Sequence, residues 1–176
     1  MLLEKRRLAA VSTGHSAAAI RTFYSNPVTV QFARWAVEIF SHAEDELGGD
    51  CGFQRIGYLT LLSQDRIQVG KRVVELERAH GIRVEELTPD DIAARQPMVN
   101  LDGIAYGILE LDSRFADPKK TTRQLVESAK AWNLSVHENV GATSITLKQG
   151  RVSAVETEAG TIETPVVVNA AGGWGR

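Results

Sequence analysis

The opening residues constrain the fold of this chain more than any other stretch does. Leu2 and Leu3 are apolar and run directly into Glu4, a pattern typical of a short buried strand that ends in a carboxylate. An ionised Glu accepts two hydrogen bonds from a diol, and dinucleotide-binding units use a carboxylate at such a strand end to hold the ribose of an adenosine. Glu4 is therefore a candidate ribose ligand. The simpler alternative is an exposed charge at the end of a strand.

The other end of the chain shows a similar transition. The valines at 166–168 predict a second buried strand, which opens into a loop of small residues where a ligand can approach the backbone closely. We expect the strands that contain Leu3 and Val167 to be neighbours in one sheet, with an adenosine diphosphate bound between them.

Five pieces of sequence, spread in order over the whole chain, resemble one enzyme superfamily. They are residues 2–5, the run 14–21 with Tyr24, the strand at 55–59, Asp117 with Pro118, and residues 168–172. Together they resemble the FAD-dependent amine and amino-acid oxidoreductases of the D-amino-acid oxidase superfamily, nearest to its sarcosine oxidase and dimethylglycine dehydrogenase branch. The resemblance implies FAD as the cofactor and a small amine or amino acid as the substrate. It leaves the catalytic residues unknown.

The resemblance also implies which residues contact the cofactor: Glu4, Lys5, Ser12, Gly14, His15, Ser16, Arg21, Val140, Ala170, Ala171, Gly172 and Trp174. Small residues in the run around Gly14 let backbone N–H groups and hydroxyls reach a pyrophosphate or ribityl chain.

Several of these residues have a second interpretation. His15 corresponds to a histidine that attaches covalently to flavin in the dimethylglycine dehydrogenase branch, or it is a polar loop residue. Arg21 either neutralises charge near the reduced flavin or pairs with a carboxylate. Val140 either pairs with adenine through its backbone N–H and C=O or sits in a simple turn. Lys5 either lies along the cofactor or is solvated. Trp174 either forms part of the cofactor wall, packs in a core, or belongs to a frayed end.

Composition excludes several other functions. The 176 residues are 43% hydrophobic and 24% charged with a net charge of −2, so nothing favours nucleic acid or an anionic membrane as a partner. Cys51 is the only cysteine, which rules out an internal disulfide, and the histidines lack metal-ligand spacing. We expect a cytoplasmic protein, no metal site and no membrane span.

Periodicity and turn signals predict a mixed α/β chain. Helices are expected at 28–47, at 65–80, after Thr88 and from Asp117 to about Trp132. Strands are expected at 53–62, 82–87, 103–111 and 134–137, followed by a hairpin over 143–157, with Gly150 in its turn, and a further short strand at 161–163. Apolar stripes on the first and last helices predict buried faces. Those stripes are Phe32, Trp35, Ala36, Ile39 and Phe40, and Leu125, Val126, Ala129 and Trp132.

By the resemblance, residues 1–27 and 113–176 form a partial FAD-binding, Rossmann-like domain. It is interrupted by residues 28–112, part of an antiparallel-sheet substrate domain. The glycine-rich G-x-G-x-x-G turn that such a domain uses for the pyrophosphate is not in this sequence. We therefore expect a fragment of a longer protein.

Two functions follow. The first is part of an oxidoreductase that oxidises an amine or amino acid by hydride transfer to FAD, with the isolated chain binding FAD weakly and inactive. The alternative is a non-catalytic, cofactor-free fragment that folds as a homodimer or with a partner subunit.

Overall fold

The computed structural model describes residues 1–175, which form five α-helices and eleven β-strands in four small sheets. The helices are α1 (Pro27–Ser41), α2 (Ala43–Glu46), α3 (Ile67–Ala79), α4 (Pro89–Arg95) and α5 (Pro118–Lys130). The strands are β1 (Leu2–Glu4), β2 (Ala19–Ile20), β3 (Gln54–Arg55), β4 (Tyr58–Leu62), β5 (Val84–Leu87), β6 (Tyr106–Glu110), β7 (Arg114–Phe115), β8 (Val136–Glu138), β9 (Ala142–Lys148), β10 (Arg151–Thr157) and β11 (Gly160–Glu163). The predicted mixed α/β class is confirmed.

The largest share of the core lies around the antiparallel sheet β4–β6–β5. Ile108 in the central strand β6 is fully buried, and α3 and α4 contribute Val74 and Ile92 to the same interior. Thr88 and Asp91 form a capping box at the start of α4, which ends before Pro97 as predicted. Burial of these three side chains removes apolar surface from water and stabilises the unit.

The strand predicted at 53–62 is divided at Gly57. This residue has φ +70°, a left-handed conformation that glycine adopts without steric cost, so the chain turns there. Strand β3 before the turn joins the sheet β2–β7–β3, whereas β4 after it joins the core sheet. The sheet β2–β7–β3 therefore combines strands from both predicted domains, and the division at 27 and 112 stays a prediction.

The predicted partnership between the first and last strands is wrong. Strand β1 pairs in parallel with β8, with Leu3 opposite His137. Residues 166–168 are described but form no strand, and Val166 and Val168 are 70% and 84% exposed. An extended segment becomes a strand only when a neighbour completes its hydrogen-bond ladder, and none of the described strands pairs with this one.

The hairpin prediction is confirmed. β9 and β10 pair antiparallel with Arg151 opposite Lys148, and Gly150 lies in the turn with φ +74°. β11 adds a third strand, with Ala154 opposite Glu163. Ala154 and Val155 are buried, whereas Ile145 and Leu147 are exposed.

The helices begin where predicted but bury less than predicted. The helix expected at 28–47 divides at His42, whose φ of −116° and ψ of 35° depart from helical values. Phe32, Trp35 and Ile39 of α1 are exposed, as are Leu125 within α5 and Trp132, which follows α5. Helical spacing identifies the apolar face but does not determine what packs against it. Within residues 1–175, no helix is long and apolar enough to cross a membrane.

Candidate functional site

The carboxyl ends of β1 and β8 form one corner of the candidate site. The two strands are parallel and end in register at Glu4 and Glu138. Ligands of open α/β sheets bind outside the carboxyl ends of parallel strands. The Leu8 N–H donates to Glu138 Oε1 at 2.6 Å, so the loop after β1 folds across this end.

Glu4 and Val140 are brought together at this corner. The Val140 N–H donates to the Glu4 carbonyl oxygen at 3.0 Å, and the Asn139 N–H donates to the Arg6 carbonyl oxygen at 2.8 Å. The Val140 N–H is therefore used inside the chain, and the adenine pairing through this residue stays a prediction. The Val140 carbonyl oxygen remains the backbone group that can accept a hydrogen bond from a ligand.

The Glu4 carboxylate is held in a fixed position by its own loop. Its Oε1 accepts the Arg6 N–H at 2.8 Å, which leaves Oε2 to accept a further hydrogen bond. The stem of Lys5 packs against Gly141, beside Val140. A carboxylate with a free oxygen, next to a lysine and a backbone carbonyl, fits the ribose end of a dinucleotide.

The small-residue run is folded tightly on itself. Residues Thr13–His15 form one 3-10 turn that begins after Ser12. A Cβ on Gly14 would lie 1.9 Å from the Ala9 carbonyl oxygen, so only glycine fits here without movement of the backbone. Ser16 accepts the Ala18 N–H at 3.2 Å through its hydroxyl, and both Ser12 and Ser16 are exposed.

Lys119 is a residue at this run that sequence reasoning missed. Asp117 caps α5 by accepting the N–H groups of Lys119 and Lys120, each at 2.9 Å. The cap aims the start of α5 at the run, and the Lys119 Cε lies 3.4 Å from where a Cβ on Gly14 would stand. The sequence indicated the Asp-Pro helix start, but it did not indicate that this helix start faces the run of small residues around Gly14.

His15 is exposed and its ring orientation is fixed by the backbone. Nδ1 lies 2.7 Å from the Val11 carbonyl oxygen, which only accepts, so Nδ1 carries a proton. In the neutral ring the lone pair then belongs to Nε2.

Arg21 lies between two aromatic rings. Its Cζ is 5.3 Å from the Tyr24 ring centroid and 5.4 Å from that of Tyr58, both within the range of cation–π attraction. Aromatic faces therefore hold the Arg21 guanidinium, and the carboxylate partner considered as its alternative is not among its described contacts.

The last predicted contacts are not joined to the rest. The described hydrogen bonds of residues 169–175 stay within that segment, for example from the Asn169 side chain to the Gly175 carbonyl oxygen at 3.2 Å. Trp174 is 67% exposed, so its interpretation as a core aromatic is wrong. Ala170, Ala171 and Gly172 are exposed with it and are not brought to Glu4 by any described hydrogen bond.

A buried acidic pair was also missed by sequence reasoning. Glu77 of α3 and Glu110 of β6 are both fully buried, and Thr22 contacts both of them. Burial, and after it the negative charge of Glu110, raise the pKa of Glu77 to about 8. Glu77 lies on the buried face of α3, one turn after Val73 and Val74, and Glu110 shares the core face of β6 with Ile108. A charged residue at each core position is the sequence signal that could have found this pair.

Among residues 1–175, no group of three or more metal-ligating side chains lies together.

A cavity of about 220 Å³ lies beside Thr22 and is lined by Arg34, Glu38, Ile82 and Asp112 among others.

Comparison with known proteins identifies the family. The sequence model of DAO, described as FAD dependent oxidoreductase, matches residues 1–176. The chain belongs to this family. The resemblance to FAD-dependent oxidoreductases and the family's dependence on FAD are thereby confirmed.

Three curated proteins match almost all of this chain. Mitochondrial sarcosine dehydrogenase of Mus musculus is 34% identical over 99% of this chain and 20% of its own length. Mitochondrial dimethylglycine dehydrogenase of Rattus norvegicus is 26% identical over 100% of this chain and 21% of its own length. The mitochondrial pyruvate dehydrogenase phosphatase regulatory subunit of Mus musculus is 27% identical over 99% and 20%. The chain thus spans about a fifth of the length of these relatives.

Solved structures agree on the DAO-family fold. L-proline dehydrogenase from P. horikoshii superposes with a TM-score of 0.87 at 24% identity, over 98% of this chain and 46% of that one. Glycine oxidase from Bacillus cereus gives 0.79 at 20% identity, over 98% and 48%.

Proposed function

We propose that this chain provides the adenosine-binding corner and part of the substrate side of an FAD-dependent amine or amino-acid oxidoreductase. The observation that carries the proposal is the carboxylate of Glu4, held at the end of β1 beside Val140, in a chain that the DAO family model matches throughout. Residues 1–27 and 113–176 would lie on the FAD side, and residues 28–112 would contribute to the substrate side.

When bound, FAD supplies the redox chemistry, which is acceptance of a hydride from the carbon next to the amine nitrogen. The chain's own residues bind and orient. Glu4 accepts the ribose hydroxyls through its free oxygen, and the run from Ser12 to Ser16, with Lys119 beside it, offers short polar groups and a positive charge to the phosphates or ribityl chain. Arg21 places a positive charge close to the flavin-facing run.

The proposed substrate class is a secondary or tertiary amine, or an amino acid. The names of the relatives support it, since sarcosine and dimethylglycine are N-methylated amino acids. A cytoplasmic location stays a prediction, supported by the single buried cysteine Cys51 and by the absence of cysteine partners for it in the sequence.

Whether His15 attaches to the flavin is part of the same proposal. Its Nε2 has the lone pair that such a bond requires, because Nδ1 is hydrogen-bonded to Val11. Acid precipitation of flavin-loaded protein would separate the two interpretations: yellow colour in the pellet indicates attachment, and its loss from the His15→Asn variant assigns the residue. Release of all flavin into the supernatant identifies His15 as a polar loop residue.

A second candidate function is a cofactor-free binding module. The specific observation in its favour is the 27% identity to a protein named as a phosphatase regulatory subunit. A module of this kind needs no bound flavin. If the chain is such a module, Glu4 can be replaced without loss of its binding function.

The deciding experiment is flavin analysis of the protein as its gene encodes it. We expect the visible absorption of flavin, bleaching on addition of sarcosine or dimethylglycine, and loss of bound FAD in the Glu4→Gln variant. The Glu163→Gln variant, an exposed carboxylate on β11, is the matched control. Colourless protein that does not respond to added FAD would refute the proposal and favour the binding module. The isolated 176 residues are expected to bind FAD weakly.

A further inference from the structure

The segment that carries Arg21 is fastened to the core by buried acids. The Thr22 N–H donates to Glu110 Oε1 at 2.5 Å. The Thr22 hydroxyl oxygen lies 3.0 Å from Glu77 Oε1 and also contacts Glu110 Oε1. Thr22 is 4% exposed and both glutamates are fully buried. One residue after Arg21, the chain is thus joined simultaneously to α3 and to β6.

Among the described residues, only the Thr22 N–H and hydroxyl donate to the four carboxyl oxygens of this cluster. A threonine hydroxyl has one proton and can donate it to only one of the two oxygens that it touches. Glu77 Oε2 and Glu110 Oε2 are also buried, and neither has a donor among the described residues. One additional proton on the pair allows a hydrogen bond between the two carboxyl groups. It also removes the repulsion of two buried negative charges.

We propose that Glu77 and Glu110 share one proton and, through Thr22, act as positioning residues that hold Arg21 between Tyr24 and Tyr58. The inference rests on the proposed function in one respect: the ligand that Arg21 would contact is bound flavin or the substrate. The Thr22 N–H donates to Glu110 Oε1, the Thr22 hydroxyl donates to Glu77 Oε1, and the shared proton lies between the two carboxyl groups. Both acids are fully buried, so their effect on a bound ligand passes through the position of Arg21.

The pair packs against elements that carry other charged and titratable groups. The charged and titratable groups on the neighbouring elements are Arg34 and Glu38 on α1, Tyr58 opposite Glu110 on β4, His80 at the end of α3, and Asp112 after β6. A hydrogen bond from Arg83 lowers the pKa of Asp112, so this carboxylate stays charged wherever Glu77 titrates. The ring of His80 is engaged through Nδ1 with the Leu76 carbonyl oxygen at 2.8 Å.

Carbon-detected NMR of glutamate carboxyls tests the shared proton without any cofactor. We expect the pair to show a titration with an apparent midpoint near 8. The Glu77→Gln variant, whose amide imitates a protonated acid, removes that titration. Glu75→Gln changes an exposed glutamate on the same helix and is the matched control. The Thr22→Val variant loses the hydroxyl that lowers the pKa of Glu77, so it moves the midpoint upwards.

The tyrosine rings report the position of Arg21. The protein has three tyrosines, and Tyr106 donates its hydroxyl to Glu86 instead of facing Arg21. We expect the ring signals of Tyr24 and Tyr58 to shift with the Glu77 midpoint while those of Tyr106 stay constant. In flavin-loaded protein, the dissociation constant of FAD or of the amine is expected to rise by up to about tenfold per pH unit above the midpoint. It should not rise in this way in Glu77→Gln.

Each result decides the inference. Two carboxyls that both titrate near ordinary glutamate values, or Tyr24 signals that ignore the titration, would overturn it even if FAD binds. If the Glu77→Gln variant does not fold, the wild-type titration and Thr22→Val still give the midpoint and its direction. Because these signals need no flavin, protein that fails to bind FAD disproves the proposed function while leaving the positioning result measurable.

Discussion

Val140 donates its backbone N–H to the carbonyl oxygen of Glu4 at 3.0 Å, so main-chain atoms alone fasten the loop after β8 to the end of β1. The Glu4 side chain takes no part in this bond. The Glu4→Gln variant keeps an oxygen that can accept the Arg6 N–H, so it leaves the corner of the candidate site in place, and its effect on a ligand can be separated from an effect on the fold.

The first prediction uses that separation. Glu4→Gln is expected to weaken FAD binding roughly 10- to 100-fold, because a hydrogen bond to a charged group contributes about 1.5–3 kcal/mol. Isothermal titration with FAD gives the affinity, and urea unfolding of the free protein should match wild type. Glu163→Gln should change neither quantity. An unchanged FAD affinity in Glu4→Gln would remove Glu4 from the site.

The second prediction concerns the small-residue run. Gly14→Ala is expected to lower the free energy of unfolding by about 1–3 kcal/mol, because the new Cβ would lie 1.9 Å from the Ala9 carbonyl oxygen and force the backbone apart. Chemical denaturation measures the change. Gly173→Ala is the control, since a Cβ there meets nothing within 4 Å. Equal stability of the two variants would mean that the turn around Gly14 is not closed as described.

Local signals in the sequence were sufficient for most of the helices and hairpins. Thr88 and Asp117 stand at two of the expected helix starts, and the side chain of each accepts backbone N–H groups of the first turn. Gly150 lies in the turn that it predicted. Such features depend on a few consecutive residues, so a single sequence is enough to find them.

Long-range pairing was harder to predict. The sequence pattern suggested that 166–168 is a strand, but strand formation also requires a partner, and β1 pairs with β8 instead. The Glu77–Glu110 pair was missed for the same reason, because its two acids are 33 positions apart and meet only after α3 packs on β6. At the candidate site, Glu4 and Val140 were predicted separately, and their contact follows from the pairing of β1 with β8.

The third prediction tests which apolar residues of the last helical stretch contribute to the core. Val126 is 7% exposed and Trp132 is 87% exposed, although both belong to the predicted buried stripe. Val126→Ala is expected to cost about 2 kcal/mol of unfolding free energy, whereas Trp132→Ala should stay within about 0.5 kcal/mol of wild type. Thermal and urea unfolding compare the two. A larger loss for Trp132→Ala would show that this side chain is covered in solution.

The fourth prediction follows from the buried acid pair and concerns stability against pH. Glu77 ionises around its ordinary value of 4.5 in the unfolded chain, and its pKa in the folded protein is raised to about 8. Between these values the folded state holds a proton that the unfolded state has released. The stabilising contribution is therefore fully present below about 4.5 and is lost as the pH rises through about 8.

We accordingly expect the free energy of unfolding to fall with rising pH across this window, by up to about 1.4 kcal/mol per pH unit. Glu77→Gln cannot ionise, so it should flatten the slope and be the more stable protein at alkaline pH, while Glu75→Gln should follow wild type. Urea unfolding at a series of pH values measures all three proteins. The lowered pKa of Asp112 acts below this window and does not contribute to the slope. A wild-type slope that persists unchanged in Glu77→Gln would mean that another group releases the proton.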